Sequence, residues 1–265
     1  MLKIYQRLWQ VNWAEYWQYR ANMLMYLLYW LISPIVYLAV WTSIANAKGS
    51  VNGLTANDFI AYYMTLLVVD QLTSNIIIHI FAYKVQDGSL SSELIRPAHP
   101  MLTNTFMNNL ASKALNLLVF IPVWGVLWLL YQPDFSAVTA LNLLIAALAM
   151  LLGFLVSFLL SAAITSLAFW TTRVYSVHEF YFAISLLFSG QFVPLQLMPQ
   201  FIQTAAQFLP FQLFLYFPIQ IILGKLSTAQ IAQGFLSGVI WLAVAWLLFR
   251  WVWREGVKRY SAVGA

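Results

Sequence analysis

The sequence predicts an all-α polytopic membrane protein, and three observations carry that expectation. Hydrophobic residues make up 62% of the chain and charged residues only 8%, where soluble domains carry about 25% charged. Mean hydropathy is +0.78. The apolar positions gather into runs long enough for the roughly 20 helical residues that cross a bilayer. There is no cysteine, so disulfides, thiolate metal sites and thiol nucleophiles are excluded. The net charge of +5 does not point to nucleic acid, because the basic residues stand at the ends of apolar runs and form no patch.

Residues 1–21 place Tyr5, Trp9, Trp13 and Trp17 at steps of four, with Lys3, Arg7, Gln10 and Gln18 between them. That pattern predicts an amphipathic helix lying at headgroup depth, where aromatic rings are favoured. The apolar run that follows is too long for the centre of a secretion signal. The first helix is therefore expected to be retained, although Ala45-Asn46-Ala47 resembles a cleavage site.

Residues 22–265 read as one transmembrane domain. Six spans are expected near 22–44, 58–83, 107–131, 138–170, 176–192 and 231–253, the fourth of them about 50 Å long and projecting beyond the lipid. With the N-terminus inside, the cytoplasmic cations are Lys3, Arg7, Arg20, Lys84, Arg96, Lys113, Arg173, Arg250, Arg254, Lys258 and Arg259, leaving Lys48 and Lys225 outside. That asymmetry is a firm positive-inside bias and places both termini in the cytoplasm.

Between the second and third spans, residues 84–100 (KVQDGSLSSELIRPAHP) form a polar island with Lys84, Asp87, Glu93 and Arg96. Gly88 permits a turn into a short helix and Pro97 closes it, since the residue before a proline is pushed out of the helical region. Leu90 and Leu94 then share one face. Such an island is either an ordinary solvated loop or a surface that meets a partner.

The fourth span carries Ala149, Gly153, Ser157, Ser161 and Thr165 at steps of four, a stripe that admits close helix approach. It serves packing within the chain or a seam between subunits. Residues 190–228 are apolar but broken by Pro194, Pro199, Pro210 and Pro218, with Gly190 and Gly224 near the ends. A continuous span tolerates so many interruptions poorly. A pair of short re-entrant half-helices on the outer side is expected, since a seventh span would carry the basic tail outside.

Chemistry is sparse. Residues 219–226 come nearest to a phosphate-binding loop but have Ile219 where its first glycine belongs and Leu226 where its hydroxyl belongs. His79, His99 and His178 lack metal-ligand spacing, and no residue set suggests catalysis. Asp70 is the exception. A carboxylate near the middle of a span costs about 2.5–3.5 kcal/mol and must face the bundle interior or a wet cavity. It either lines a translocation path or makes an interhelical hydrogen bond with Gln71 or a hydroxyl. Arg173 and Glu179, at the inner ends of the fourth and fifth spans, are placed to pair as a cytoplasmic gate.

The interfacial helix, the six spans, the pattern G-x-L-x-x-x-L-x-x-P at Gly88, Leu90, Leu94 and Pro97, and the later SGQFVPLQLMP with Ser189, Gly190, Pro194 and Pro199 together resemble an ABC-2 type exporter permease. More narrowly, the chain is similar to bacterial permeases encoded separately from their ATPase and working in unlike pairs. The resemblance implies a bacterial cell-membrane protein that binds no cofactor, with ATP and Mg on two copies of a cytoplasmic ATPase. It implies a second permease, a paralogue or another copy of this chain. Asp87, Gly88, Leu90, Glu93, Leu94, Arg96 and Pro97, within a coupling loop at 84–105, would be the counterpart of the helix that docks on the ATPase. The broken segment, with Gly190, Pro194 and Pro199, would form the outer gate. Family substrates include drugs, lipids and polysaccharides; Asp70 and the abundant aromatic residues favour small amphipathic or cationic compounds. The alternative is an ion-coupled secondary transporter or channel without an ATPase. That class uses several intramembrane ionisable groups and often internal repeats, whereas this sequence has one central carboxylate and no convincing repeat. A membrane scaffold is a third class.

Overall fold

A computed structural model describes residues 2–75, 77–96 and 98–260. Among these the chain is helical throughout, apart from turns and one isolated bridge between Val51 and Leu54. The first helix, α1 (Leu2–Gln18), is followed at once by α2 (Arg20–Lys48). It lies along α6 (Phe106–Tyr131). A polar chain fastens it there: Asn108 donates to Asn12 at 2.7 Å, and Tyr16 donates to Asn108 at 2.7 Å. Burial raises the pKa of the Tyr16 phenol, so it stays a donor.

Among the described residues five stretches are long and apolar enough to cross a membrane: Leu28–Lys48, Ala56–Gln86, Met101–Tyr131, Ala140–Phe169 and Thr228–Arg259. The fifth expected span, 176–192, is instead a 15-residue helix, α8 (Val174–Phe188). At 1.5 Å per residue it reaches about 22 Å, less than the roughly 30 Å of a hydrocarbon core. It stops because Gly190 turns into the left-handed region at φ +83°, where a Cβ would lie 2.6 Å from the Tyr62 hydroxyl.

The second expected span is not one helix. α3 (Ala56–Thr73) starts on a capping box between Thr55 and Asp58 and ends at Ser74, which is extended; α4 (Ile78–Gln86) resumes afterwards. Thr73, Ser74 and Asn75 supply the reason, because short polar side chains compete with the helix for backbone partners. Asn75 leaves the ladder to donate to Ser157 at 2.6 Å.

The core gathers around α7 (Ala140–Thr165), which packs against α3, against α10 (Tyr216–Ile222) and most extensively against α11 (Thr228–Arg259). The small-residue stripe faces inward: Ala149, Gly153, Ser157, Ser161 and Thr165 are all buried within the chain. Its occupants are intramolecular, the Asn75 amide and the 3-10 turn Pro210–Leu213. This settles the alternative of an exposed subunit seam in favour of internal packing.

The broken segment forms two short helices, α9 (Gln200–Phe208) and α10, joined by that turn. Its prolines stand where helical pieces begin: Pro194 and Pro199 precede them, Pro210 opens the turn and Pro218 sits in the first turn of α10, where the missing N–H has no helical partner to lose. The segment returns on itself, since the Tyr216 N–H donates to the Ser189 carbonyl at 3.0 Å. Lys225, in the turn before α11, pairs with Asp58 at the start of α3 at 2.6 Å, with side chains 37% and 31% exposed. So exposed a pair contributes little, and Lys225→Met is expected to lower unfolding stability by less than about 1 kcal/mol in a thermal melt.

Candidate functional site

Two regions carry the polar chemistry. The first is the island between α4 and the π-helical turn Met101–Thr105. Its short helix α5 (Leu90–Leu94) is one turn long. Gly88, at φ +82°, lets the chain reverse, and the Asp87 carboxylate accepts from the Ser89 N–H at 2.9 Å and hydroxyl at 2.7 Å. Those bonds from Ser89 hold the Asp87 pKa below the usual carboxylate range. Glu93 ties the turn down, accepting from Lys84 at 2.6 Å and from Asn104 at 3.2 Å.

The far end of α11 braces the island from beneath. His99 packs 4.4 Å from the Trp253 ring and accepts the Met101 and Leu102 N–H groups on Nδ1 at 3.2 and 3.3 Å. Burial depresses its pKa, which suits the neutral acceptor these bonds require. Tyr260 meets the Ser91 hydroxyl at 3.2 Å.

This arrangement divides the residues singled out in the sequence. Leu90 is fully buried in the main core and Leu94 packs partly against it, so the ridge expected from their spacing points inward. The outward face carries Asp87, Arg96 and Ile95, whose side chain is 86% exposed. Pro97 lies outside the described residues. Ile95 escaped sequence reasoning because the four-residue spacing of the leucines drew attention to the other face.

The second region is a cavity of about 420 Å³ bounded by α2, the α3–α4 break, α7 and α8. Asp70 lines it and is 8% exposed. Among the described residues its carboxylate forms neither hydrogen bond nor ion pair, so the structural partner considered for it, Gln71 or a hydroxyl, is not engaged. Among the described residues the cation acting on it is Lys113 of α6, itself 8% exposed. Its ammonium donates to the backbone carbonyls of Ser74 and, at 3.3 Å, Gln71. It also sits 5.0 Å from the centroid of the Phe154 ring. Lys113 therefore caps the freed carbonyl end of α3, where helix dipole and orphan acceptors favour a positive charge. Lys113, counted among the cytoplasmic cations, is therefore buried against the end of α3.

Arg173 and Glu179 are both exposed, and among the described residues no ion pair joins them. Arg173 stands at the N-cap of α8, its N–H on the Thr171 hydroxyl, whereas Glu179 lines the cavity. The gate pair is thus not formed within the chain. On the opposite side, Gly190 and Phe192 are held through their carbonyls. Tyr62 donates to Gly190 at 2.7 Å, Tyr63 to Phe192 at 2.9 Å and Trp41 to Phe192 at 3.3 Å. Pro194 and Pro199 follow as the starts of a 3-10 turn and of α9. No cluster of metal-ligating side chains occurs among the described residues.

Several membrane-length helices, a discontinuous second span over a polar cavity and a braced polar knob define a multi-pass membrane protein of the transporter class. A family model described as ABC-2 family transporter protein matches residues 31–264, so the chain belongs to that family and is an ABC-2 type permease. No curated protein matches it.

Proposed function

We propose that the chain is the transmembrane subunit of an ATP-driven exporter, assembled with a second permease and two cytoplasmic ATPase subunits that hold ATP and Mg. The second permease is a paralogue or another copy of this chain. The observation that supports this reading is Ile95, a large apolar side chain standing in water between Asp87 and Arg96 on a knob otherwise fastened down by Lys84, Glu93 and His99. An isolated apolar anchor on a rigid polar rim has the composition of an interface hot spot. The charge asymmetry of the loops supports a cytoplasmic knob in a bacterial inner membrane.

In this reading ATP closes the ATPase pair, the knobs are pushed, and the path between permeases turns outward. The 190–228 segment dips into the outer leaflet and gates the exit through Gly190, Pro194 and Pro199. Arg173 and Glu179 face the cytoplasmic entrance, and α8 together with the residues up to Phe192 completes six crossings. The cargo is a small amphipathic compound, drug or lipid.

The test is Ile95→Asp. Because the side chain is exposed, the variant folds as the parent, and its affinity for the co-expressed ATPase falls about thirtyfold, as expected for loss of a 2 kcal/mol hot spot. ATP-driven transport in proteoliposomes falls with it. An intact complex that purifies and transports without any ATPase overturns the proposal and favours an ion-coupled transporter or channel.

A further inference from the structure

We propose that the cavity between α2, the α3–α4 break, α7 and α8 binds a lipophilic organic cation, with the Asp70 carboxylate as its counter-charge. This deepens the exporter reading, on which it rests for the direction of movement only; binding itself requires no ATPase.

The first support is the open valence of Asp70. A carboxylate within a membrane span is expected to be paired, but Lys113, the cation that acts on it among the described residues, directs its N–H groups to two backbone carbonyls instead. Asp70 lines the cavity, and its carboxylate has no hydrogen-bond or ion-pair partner among the described residues. Ser189 is an independent second support. It lines the same cavity, is 1% exposed, and its hydroxyl has no hydrogen-bond partner among the described residues. A buried hydroxyl without a partner is uncommon in native proteins and calls for one, which a ligand in the cavity would supply.

Charge and shape set the ligand class. Among the described residues the carboxylates Asp70 and Glu179 line the cavity, and no Lys or Arg does. Tyr29, Trp30 and Tyr37 of α2 supply aromatic faces to the wall, which attract a desolvated cation. Residues that could hold a metal ion do not cluster among those described, and the volume of about 420 Å³ lies in the range of small-molecule sites. A protonated lipophilic amine satisfies all of these features and an organic phosphonium the electrostatic and shape ones; an anion satisfies none of the electrostatic ones.

The experiment is equilibrium binding to the solubilised full chain, corrected for protein-free micelles, with tetraphenylphosphonium and tetraphenylborate. These two probes match in shape and oppose in charge. Saturable binding of the phosphonium is expected, with the borate at least tenfold weaker. Asp70→Asn is expected to weaken phosphonium binding at least tenfold, and Asp70→Glu to retain most of it. Absence of saturable phosphonium binding, equal affinity for the borate, or wild-type affinity in Asp70→Asn overturns the proposal. Should Asp70→Asn fail to fold, the charge comparison on the parent chain and Asp70→Glu decides. ATPase association is scored separately through Ile95→Asp, so either reading can fail while the other stands.

Discussion

Lys113→Met is expected to destabilise the protein by about 3 to 5 kcal/mol, read as a lowered unfolding midpoint in detergent. Methionine keeps the length of the stem and its packing against Phe154 but removes the ammonium that caps Gln71 and Ser74. Two effects add. The carbonyls at the α3 terminus lose their donor, at about 1–3 kcal/mol for a buried group left unsatisfied. The Asp70 carboxylate also loses the positive charge of Lys113, which acts on it among the described residues. The double variant Lys113→Met, Asp70→Asn separates them: it is expected to recover the second part of the loss and leave the first. Lys113→Arg retains a donor and a charge and should be milder than either. A Lys113→Met protein as stable as the parent would show that the break in α3–α4 needs no cap.

Gly153→Ala is the second large effect, on the order of 3 kcal/mol. A Cβ at this position would stand 2.3 Å from the Leu213 carbonyl oxygen and 3.1 Å from its carbon. These are backbone atoms of a turn opened by Pro210, so no rotamer relieves the clash, and α7 must part from the turn. Two other glycines calibrate the measurement. At Gly238 the added carbon meets the end of the Leu152 side chain at 2.4 Å, which can rotate away, and the effect should be smaller. At Gly125 nothing lies within 4 Å, and alanine there should stabilise the helix by up to about 1 kcal/mol. The order Gly153, Gly238, Gly125 in falling cost is the expected outcome of parallel thermal melts.

The parts of this protein written in one-dimensional pattern were legible in the sequence. The long apolar runs became α2, α6, α7 and α11, and prolines spaced through 190–228 became the starts of short pieces. The resemblance carried by Gly88, Leu90, Leu94 and by the stretch from Ser189 to Pro199 pointed to the family that the chain belongs to. What escaped was decided by long-range partners. Thr73, Ser74 and Asn75 are outnumbered by apolar neighbours, so hydropathy reads through them, and only Asn75 meeting Ser157 and Lys113 meeting Ser74 make a break there stable. A single lysine six residues into a span reads as a headgroup anchor unless its acceptors are known. Arg173 and Glu179 looked like a pair because both sit near membrane ends, but the turn before Val174 leaves one at the cap of α8 and the other at the cavity. In the island, helical spacing identified which leucines share a face and could not say that the face was already occupied.

The 32 residues of α11 make a rod of about 48 Å. Near one end, Phe249, Trp253 and the following Tyr260 grip His99 and Ser91. Toward the other, Phe235 meets the Phe217 ring at 5.6 Å and Trp241 donates to the Phe208 carbonyl at 3.1 Å. A displacement applied at the island would therefore have a stiff rod to the opposite pole of the molecule, and tilting that rod by a few degrees against α7 would displace its tip by ångströms.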